Sequence, residues 1–482
     1  MVLAFVLVFI LAVVGVLLFK TYSLKPTPAL TTKIRLVQGE RAEKYGEQLA
    51  TLVRKETISS RFDDDRTKFL EFHELLEEMF PNIHSNCEKH VFNGSLLFKW
   101  SGEGTAEPIM LMSHHDVVEA NGNWEHAPFS GDIDEKGRVW GRGTVDTKAS
   151  LFCIMTAVEE MMADGYVPEG DIYIASSCTE EWSGEGAPLT AKYLKEQGVH
   201  LAFLLDEGGM IVEEPVGGVK GLYGMVGVVE KGYGDVKFIA RSNGGHASAP
   251  GKNTPLVRLG KFMAEVDKKN PFAVEFSETV DEMFTRMAPN MDFGMKFIFA
   301  NYSTFKPLLK VLLPSISSAA GAMIKTTLAF TTAKGAEGLN VLPQEAYVTG
   351  NMRFIQHQDN VESIKLISEI AKKYDIETEV IWQEAPCKPV DYKGSAFKLL
   401  EKVAADIYPG VGICPYTMTG GTDAKFYGEV CDNALRFAPL YIDAQQYASI
   451  HGLNENIYQG ALPGGVDFYK MLIRKSVEVT RR

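Results

Sequence analysis

Three short apolar runs, residues 108–112, 171–175 and 201–205, constrain this chain more than anything else in it. They are nearly continuous rather than alternating. An alternating strand buries one face, whereas a strand apolar along its length is buried on both, as inside a parallel sheet covered by helices. A stretch with helical spacing, 147–162, lies between the first run and the second. This β–α–β rhythm predicts an α/β domain. In open α/β sheets, sites form beyond the carboxyl ends of the strands.

Polar clusters stand at those ends. Ser113-His114-His115-Asp116 follows the first run, Thr179-Glu180-Glu181 follows the second and Asp206-Glu207-Gly208-Gly209 the third. Gly141-Arg142-Gly143-Thr144-Val145-Asp146 precedes the helix, and His451-Gly452-Leu453-Asn454-Glu455 lies near the end. Each has an ordinary reading by itself. An Asp after a strand can cap a helix, a Glu pair can be a solvated face, and a lone His can be a satisfied core residue. Those readings explain the joint occurrence poorly. Imidazole nitrogen and carboxylate oxygen together suit borderline cations such as zinc. Two such cations need a bridging carboxylate and neutralising charge, which three carboxylates and two histidines supply.

From about residue 231 the pattern changes. Residues 235–240, 346–354 and 377–381 read as strands. Thr254-Pro255 opens a helix through Val266, with Pro in the first turn. Asp359-Asn360 caps another helix carrying Val361, Ile364, Ile367, Ala371 and Tyr374. Two β–α–β halves of this kind predict a small α/β sandwich inserted into the larger domain. Residues 282–334, rich in Phe, Leu, Met and Pro, are interrupted by Lys296, Lys306, Pro307, Lys310 and Pro314. They are expected to pack as helices over the small domain or the site. Upstream, 33–59 has helical spacing, and Asp63-Asp64-Asp65 is placed to cap a helix bearing Phe69, Phe72, Leu76, Met79 and Phe80.

Residues 1–19 contain no charged or strongly polar side chain, and Lys20 follows directly. That length approaches the roughly 20 residues needed to cross a bilayer. A cleaved signal peptide would show a basic start and a small-residue cleavage site, so an uncleaved single-pass anchor is expected. Lys20, Lys25, Lys33 and Arg35 follow the segment, which favours a cytoplasmic body. Residues 20–32, with Pro26 and Pro28, read as a linker. The expected organisation is an anchor (1–19), a linker (20–32), a first catalytic part (33–230), an inserted lid and dimerisation domain (231–384) and a second catalytic part (385–482).

The chain has 482 residues, 45% of them hydrophobic, and a formal net charge of −13. The acidity argues against a nucleic-acid partner, which requires a basic surface. Its six cysteines include no C-x-x-C pair and read as buried thiols rather than a zinc knuckle or disulfide framework.

The motifs S-H-H-D-V-V, W-G-R-G-T-V-D-T-K, T-E-E, L-D-E-G, G-G-H-A-S-A-P, N-V-L-P, G-G-T-D-A and I-H-G-L-N-E together resemble the zinc metallopeptidase family of aminoacylase, acetylornithine deacetylase and carboxypeptidase S. The likeness runs from about residue 41 to 472, and is greatest to the carboxypeptidase S and N-fatty-acyl-amino-acid synthase/hydrolase branch. It implies a di-zinc exopeptidase-like catalytic domain with an inserted small α/β sandwich through which some relatives dimerise, and hydrolysis of an amide next to a free carboxylate in peptides or N-acyl amino acids. It also implies two Zn²⁺ per subunit, with Co²⁺ or Mn²⁺ fitting the same ligands. His114 and Asp206 would hold one zinc, Glu181 and His451 the other, and Asp146 would bridge. Glu207 stands beside Asp206 as an alternative ligand. Asp116 would orient His114. Glu180 would be the general base, free of the metals because Glu181 takes that task. His246 would reach the site of a partner subunit in a homodimer and stabilise the oxyanion. Asn340, Arg353 and the loop at Gly421 would meet the substrate, Arg353 through its planar fork. Trp182 departs from the family pattern, which has a small residue there in many relatives. Relatives often act outside the cytosol, so the family and the charge rule point to opposite sides of the membrane. A catalytically inactive receptor or scaffold that kept the fold should have lost a ligand or the base, and this chain retains all six.

Overall fold

The computed structural model describes residues 2–26 and 36–481. The three apolar runs sit at the centre of a ten-stranded sheet. Ile109–Met112 pairs in parallel with Ile172–Ser176 on one side and Phe203–Asp206 on the other. All three strands are buried along their whole length, because helices cover both faces. Ala434–Arg436 extends the parallel core beside Phe203–Asp206. The rest of the sheet is mixed: Ser95–Trp100 joins antiparallel at one side, and at the other Leu222–Glu230 pairs antiparallel with Ile211–Glu213 and in parallel with Gly412–Met418. The third run begins later than its apolar residues suggest: Leu201 forms only an isolated bridge to Cys431, and Asp206 ends the strand.

The helix Lys148–Ala163 is buried on every side over its first three turns. A helix apolar all round belongs inside a large core, and this one packs against Leu462–Lys475. The helix upstream is Glu40–Arg54, shorter than its periodic stretch; residues 27–35, with the last six residues of the expected linker and Lys33 and Arg35, lie outside the described residues. The next helix is Thr67–Met79, and two of the Asp triplet meet it: Asp65 accepts from the Thr67 backbone N–H at 2.9 Å and its hydroxyl at 2.6 Å, and Asp63 accepts from Lys68 Nζ at 3.0 Å.

The second sheet has four strands in the order Thr327–Lys334, Glu345–Phe354, Gly232–Arg241, Glu377–Gln383, and every neighbouring pair is antiparallel. Alternate residues of Glu345–Phe354 are buried, which is the pattern of a sheet with one face packed. The helices Pro255–Lys269 and Asn360–Lys372 cover that face. Asp359 caps the latter by accepting from Glu362 N at 2.9 Å, and Pro255 opens the former.

Two expectations about residues 282–334 are corrected. Their last eight residues, Thr327–Lys334, form an edge strand of the small sheet. The helices before them do not pack over the small domain or the site. Val280, Phe284, Phe299, Leu309 and Leu313 form a core with Tyr223, Met225 and Cys414 on outer strands of the large sheet. Burying the apolar side chains of those strands accounts for where the helices go.

Val2–Ser23 is a single helix whose residues up to Val16 stand clear of the body. Its last turn docks: Asn301 Nδ2 donates to Leu17 O at 3.0 Å and to Thr21 Oγ1 at 3.2 Å. All six cysteines are free thiols, four of them buried.

Candidate metal centre

His114 stands two residues beyond the strand Ile109–Met112 and is buried. Its Nδ1 lies 3.0 Å from the Asp116 carbonyl oxygen and 3.4 Å from Asp116 Oδ1. That turns Nε2 to within 3.0 Å of Asp146 Oδ1. Asp116 also fixes the next loop. Its carboxylate accepts from Ser59 Oγ at 2.6 Å and from the backbone N–H groups of Glu180 and Glu181, each at 3.2 Å. One buried carboxylate therefore sets both the imidazole and the glutamate pair.

Glu180–Trp182 is a single tight turn after the strand Ile172–Ser176. The two glutamates diverge there. Glu181 Oε2 lies 3.0 Å from His451 Nε2, while Glu180 Oε2 lies 3.8 Å from His114 Nε2. His451 is in the left-handed region at φ 57 and half-exposed. Its Nε2 also lies 3.0 Å from Asp146 Oδ2. Asp146 thus turns one oxygen to each histidine. The donor atoms of His114, Asp146 and Glu181 all lie within 4.8 Å of one another.

Asp146 owes its position to a residue whose part the sequence motifs did not disclose. Glu455 is fully buried; its Oε1 accepts from the N–H groups of Val145 and Asp146 at 2.8 and 3.0 Å. Its Oε2 accepts from Gly143 N at 3.1 Å and from Arg142 Nη1 at 2.7 Å. Only its place four residues after His451 hinted at a role. Replacing Glu455 by Gln leaves Arg142 buried without its counter-charge and loosens the loop. Metal affinity is expected to fall about 10–100-fold, as for other outer partners of metal ligands, and titration of the metal-free protein with Zn²⁺ would read it.

Asp206 and Glu207 are both buried at the end of their strand. Asp206 accepts from Glu207 N at 2.8 Å and Ala424 N at 2.9 Å. The chain then turns sharply at Gly209, where a Cβ would lie 1.7 Å from the Met225 carbonyl oxygen. Only glycine permits that approach.

The electrostatics are those of a site with too much negative charge. Burial pushes Glu181 up to about 7, with Asp146 adding to it, and Asp206 up to about 6. Burial and the neighbouring Asp206 and Asp116 push Asp423 up to about 8. Burial pushes Glu180 well above the carboxylate range, against the pull of His114 and with Asp423, Glu181 and Glu207 adding to it. Burial, Asp146 and Asp206 do the same to Glu207. Hydrogen bonds that His451 donates to the Asp146 and Glu181 carboxylates hold it up at about 10. Asp423 Oδ2, buried, has no hydrogen-bond partner among the described residues. Divalent cations fit this donor set, since they would neutralise the acids without protons.

The remaining expected site residues lie elsewhere. His246 is exposed on a two-stranded ribbon, Gly245–His246 against Val341–Leu342, with Nδ1 2.7 Å from Ser248 Oγ. Asn340 holds the same ribbon through its carbonyl, which accepts from Ala247 N at 2.9 Å. Arg353, half-buried on Glu345–Phe354, lies with its guanidinium 4.6 Å over the Tyr233 ring. Gly421 is exposed, and a Cβ there would lie 3.7 Å from Glu230 Oε2. Beside the cluster a cleft of about 380 Å³ is lined by Ser59, Arg61, Glu119, Glu181, Trp182 and His451. Trp182, the departure noted in the sequence, forms part of its wall.

Known proteins resemble this chain in sequence and in fold. The N-fatty-acyl-amino acid synthase/hydrolase of Xenopus tropicalis is 30% identical over 487 residues, covering 98% of this chain and 94% of that protein. A probable carboxypeptidase S-like protein of Dictyostelium discoideum is 30% identical over 426 residues, covering 87% and 81%. Among solved structures, an M20 family metallo-carboxypeptidase from Sulfolobus solfataricus superposes with a TM-score of 0.66 at 15% identity, over 89% of this chain and 98% of its own. The description of Peptidase family M20/M25/M40 matches residues 110–475, a span that takes in the whole small sheet, most of the large one and all five expected metal ligands. The chain therefore belongs to peptidase family M20/M25/M40, and it is a metal-dependent hydrolase of that family.

Proposed function

We propose that this enzyme uses two zinc ions to hydrolyse an amide bond next to a free carboxylate, in N-acyl amino acids or peptides. The observation that carries the reading is Asp146, which offers one oxygen towards His114 and the other towards His451. His114, Asp206 and Asp146 would hold one ion, and Glu181, His451 and Asp146 the other. Bound there, the ions would acidify a water and polarise the amide carbonyl. Glu180 is not among the close contacts of His451, and burial raises its proton affinity. It is suited to take a proton from the attacking water on its carboxylate and pass it to the leaving nitrogen. Asp116 keeps His114 and the glutamate turn in register throughout. Arg353 and Asn340 would bind the substrate carboxylate, with the Gly421 loop alongside.

N-acyl amino acids come first because the relative that matches along nearly the whole chain is named for them. Peptides come second, from the carboxypeptidase S-like relative. The ribbon bearing His246 supports a homodimer in which this histidine completes the partner's site. His246→Ala is then expected to lower turnover about 10²–10³-fold, as for loss of one oxyanion donor, with metal content unchanged. Wild-type turnover would remove His246 from the mechanism.

The helix Val2–Ser23 is long and apolar enough to cross a membrane. We read it as a single-pass anchor. The reaction is tested by assaying the purified full chain, loaded with Zn²⁺ or Co²⁺, on long-chain and short-chain N-acyl amino acids and on dipeptides. No hydrolysis of any of them by metal-replete protein would favour the inactive scaffold.

A further inference from the structure

We propose that the helix Tyr302–Ile316 lies on the bilayer surface, so that the enzyme touches the membrane through its body as well as through its anchor. The proposal rests on reading Val2–Ser23 as membrane-spanning.

The helix is apolar on both sides. Leu309 and Leu313 are buried against the large sheet. The opposite side presents Leu308, Val311, Leu312 and Ile316, which are 51, 69, 41 and 76% exposed. These positions recur at helical intervals and form one continuous stripe. The helix contains no Asp or Glu, and its two lysines, Lys306 and Lys310, are only partly exposed. An ordinary surface helix turns its charged face outwards. A contiguous apolar stripe in that place marks a surface that meets something apolar.

The anchor says what that is. Its last turn, the part near the membrane boundary, packs on the same helical unit. Asn301, the residue immediately before Tyr302–Ile316, donates to Leu17 O and Thr21 Oγ1. Tyr22 lies 5.8 Å from Phe293, centroid to centroid, and Phe293 is itself half-exposed. Aromatic rings collect at the membrane interface, and Lys20 marks the end of the apolar segment. The bilayer surface thus falls at the level where these helices stand. Helices with an apolar side sink that side to the boundary of headgroups and acyl chains. The buried contact at Asn301 fixes the geometry, because its amide would otherwise be left without those partners.

The test uses the full chain in phosphatidylcholine nanodiscs. Val311→Cys, and Phe62→Cys as a control on a catalytic-domain loop where the side chain is 95% exposed, are each labelled with bimane. Wild-type protein taken through the same labelling sets the background from the native thiols. Doxyl-labelled phosphatidylcholine is expected to quench the probe at 311 several-fold more than the probe at 62. Hydrolytic activity equal to wild type shows that both variants are folded. If the chain stays with the discs and the 311 probe is no more quenched than the control, the stripe faces water or another protein and the proposal is overturned while the anchor stands. If the chain does not stay with the discs, the anchor fails and the proposal with it.

Discussion

Glu180→Ala is expected to lower kcat by about 10²–10⁴-fold, the usual contribution of a positioned general base, while the protein keeps its full metal content. The two halves of that result have separate causes. Glu180 and Glu181 leave the same tight turn in different directions, and Glu181, not Glu180, contacts His451 at 3.0 Å. Removing Glu180 should therefore leave the donor atoms of His114, Asp146, Glu181 and His451 where they are. The variant should also fold at least as well as wild type, because it loses a carboxylate whose burial opposes its ionisation. Steady-state kinetics with metal analysis on the same preparation decides the matter. Loss of metal together with activity would mean that the roles of the two glutamates are reversed.

Asp146→Ala should abolish binding of both ions rather than one, and with it all measurable turnover. Asp146 is the only described residue with close contacts to both histidines of the cluster, at 3.0 Å each. Without it, the pair Glu181 and His451 and the group around His114 become two incomplete sites, and Glu181, Asp206, Glu207 and Asp423 lose the cations proposed to balance them. Metal stoichiometry after dialysis is expected to fall from about two per chain to near zero, since a zinc site needs about four ligands. Retention of one tightly held ion would show that Asp146 does not bridge. The same measurement separates the two adjacent acids on the His114 side: Asp206→Asn should lose one ion, whereas Glu207→Gln should keep both.

The three apolar runs led to the parallel centre of the large sheet because burial on both faces leaves an unbroken apolar run in the sequence. The helix starts at Pro255 and Asp359 were legible for a local reason: a proline in the first turn and a side-chain cap act within a few residues. The insert was less legible. Its composition marked it as apolar and helical, but its contact surface is Tyr223 and Met225 on one strand and Cys414 on another, nearly two hundred residues on in the sequence. The strand Thr327–Lys334 was hidden because most of its residues are exposed at the sheet edge, so no alternation of apolar residues announced it.

By itself, the sequence determined the chemistry available to this protein: which residues are imidazoles and carboxylates, that they follow apolar strands, and that the first 19 residues lack any charge. Its motif order was also enough to identify the family. What only the tertiary structure decided was the sharing of atoms: Asp146 facing two histidines, Asp116 tying His114 to the glutamate turn, Glu455 clamping the loop of Asp146, and Asn301 gripping the N-terminal helix. Each joins segments far apart in the chain. Such contacts leave no periodic trace in a sequence, because a hydrogen bond depends on the position of one atom whereas burial depends on the character of a whole run of residues.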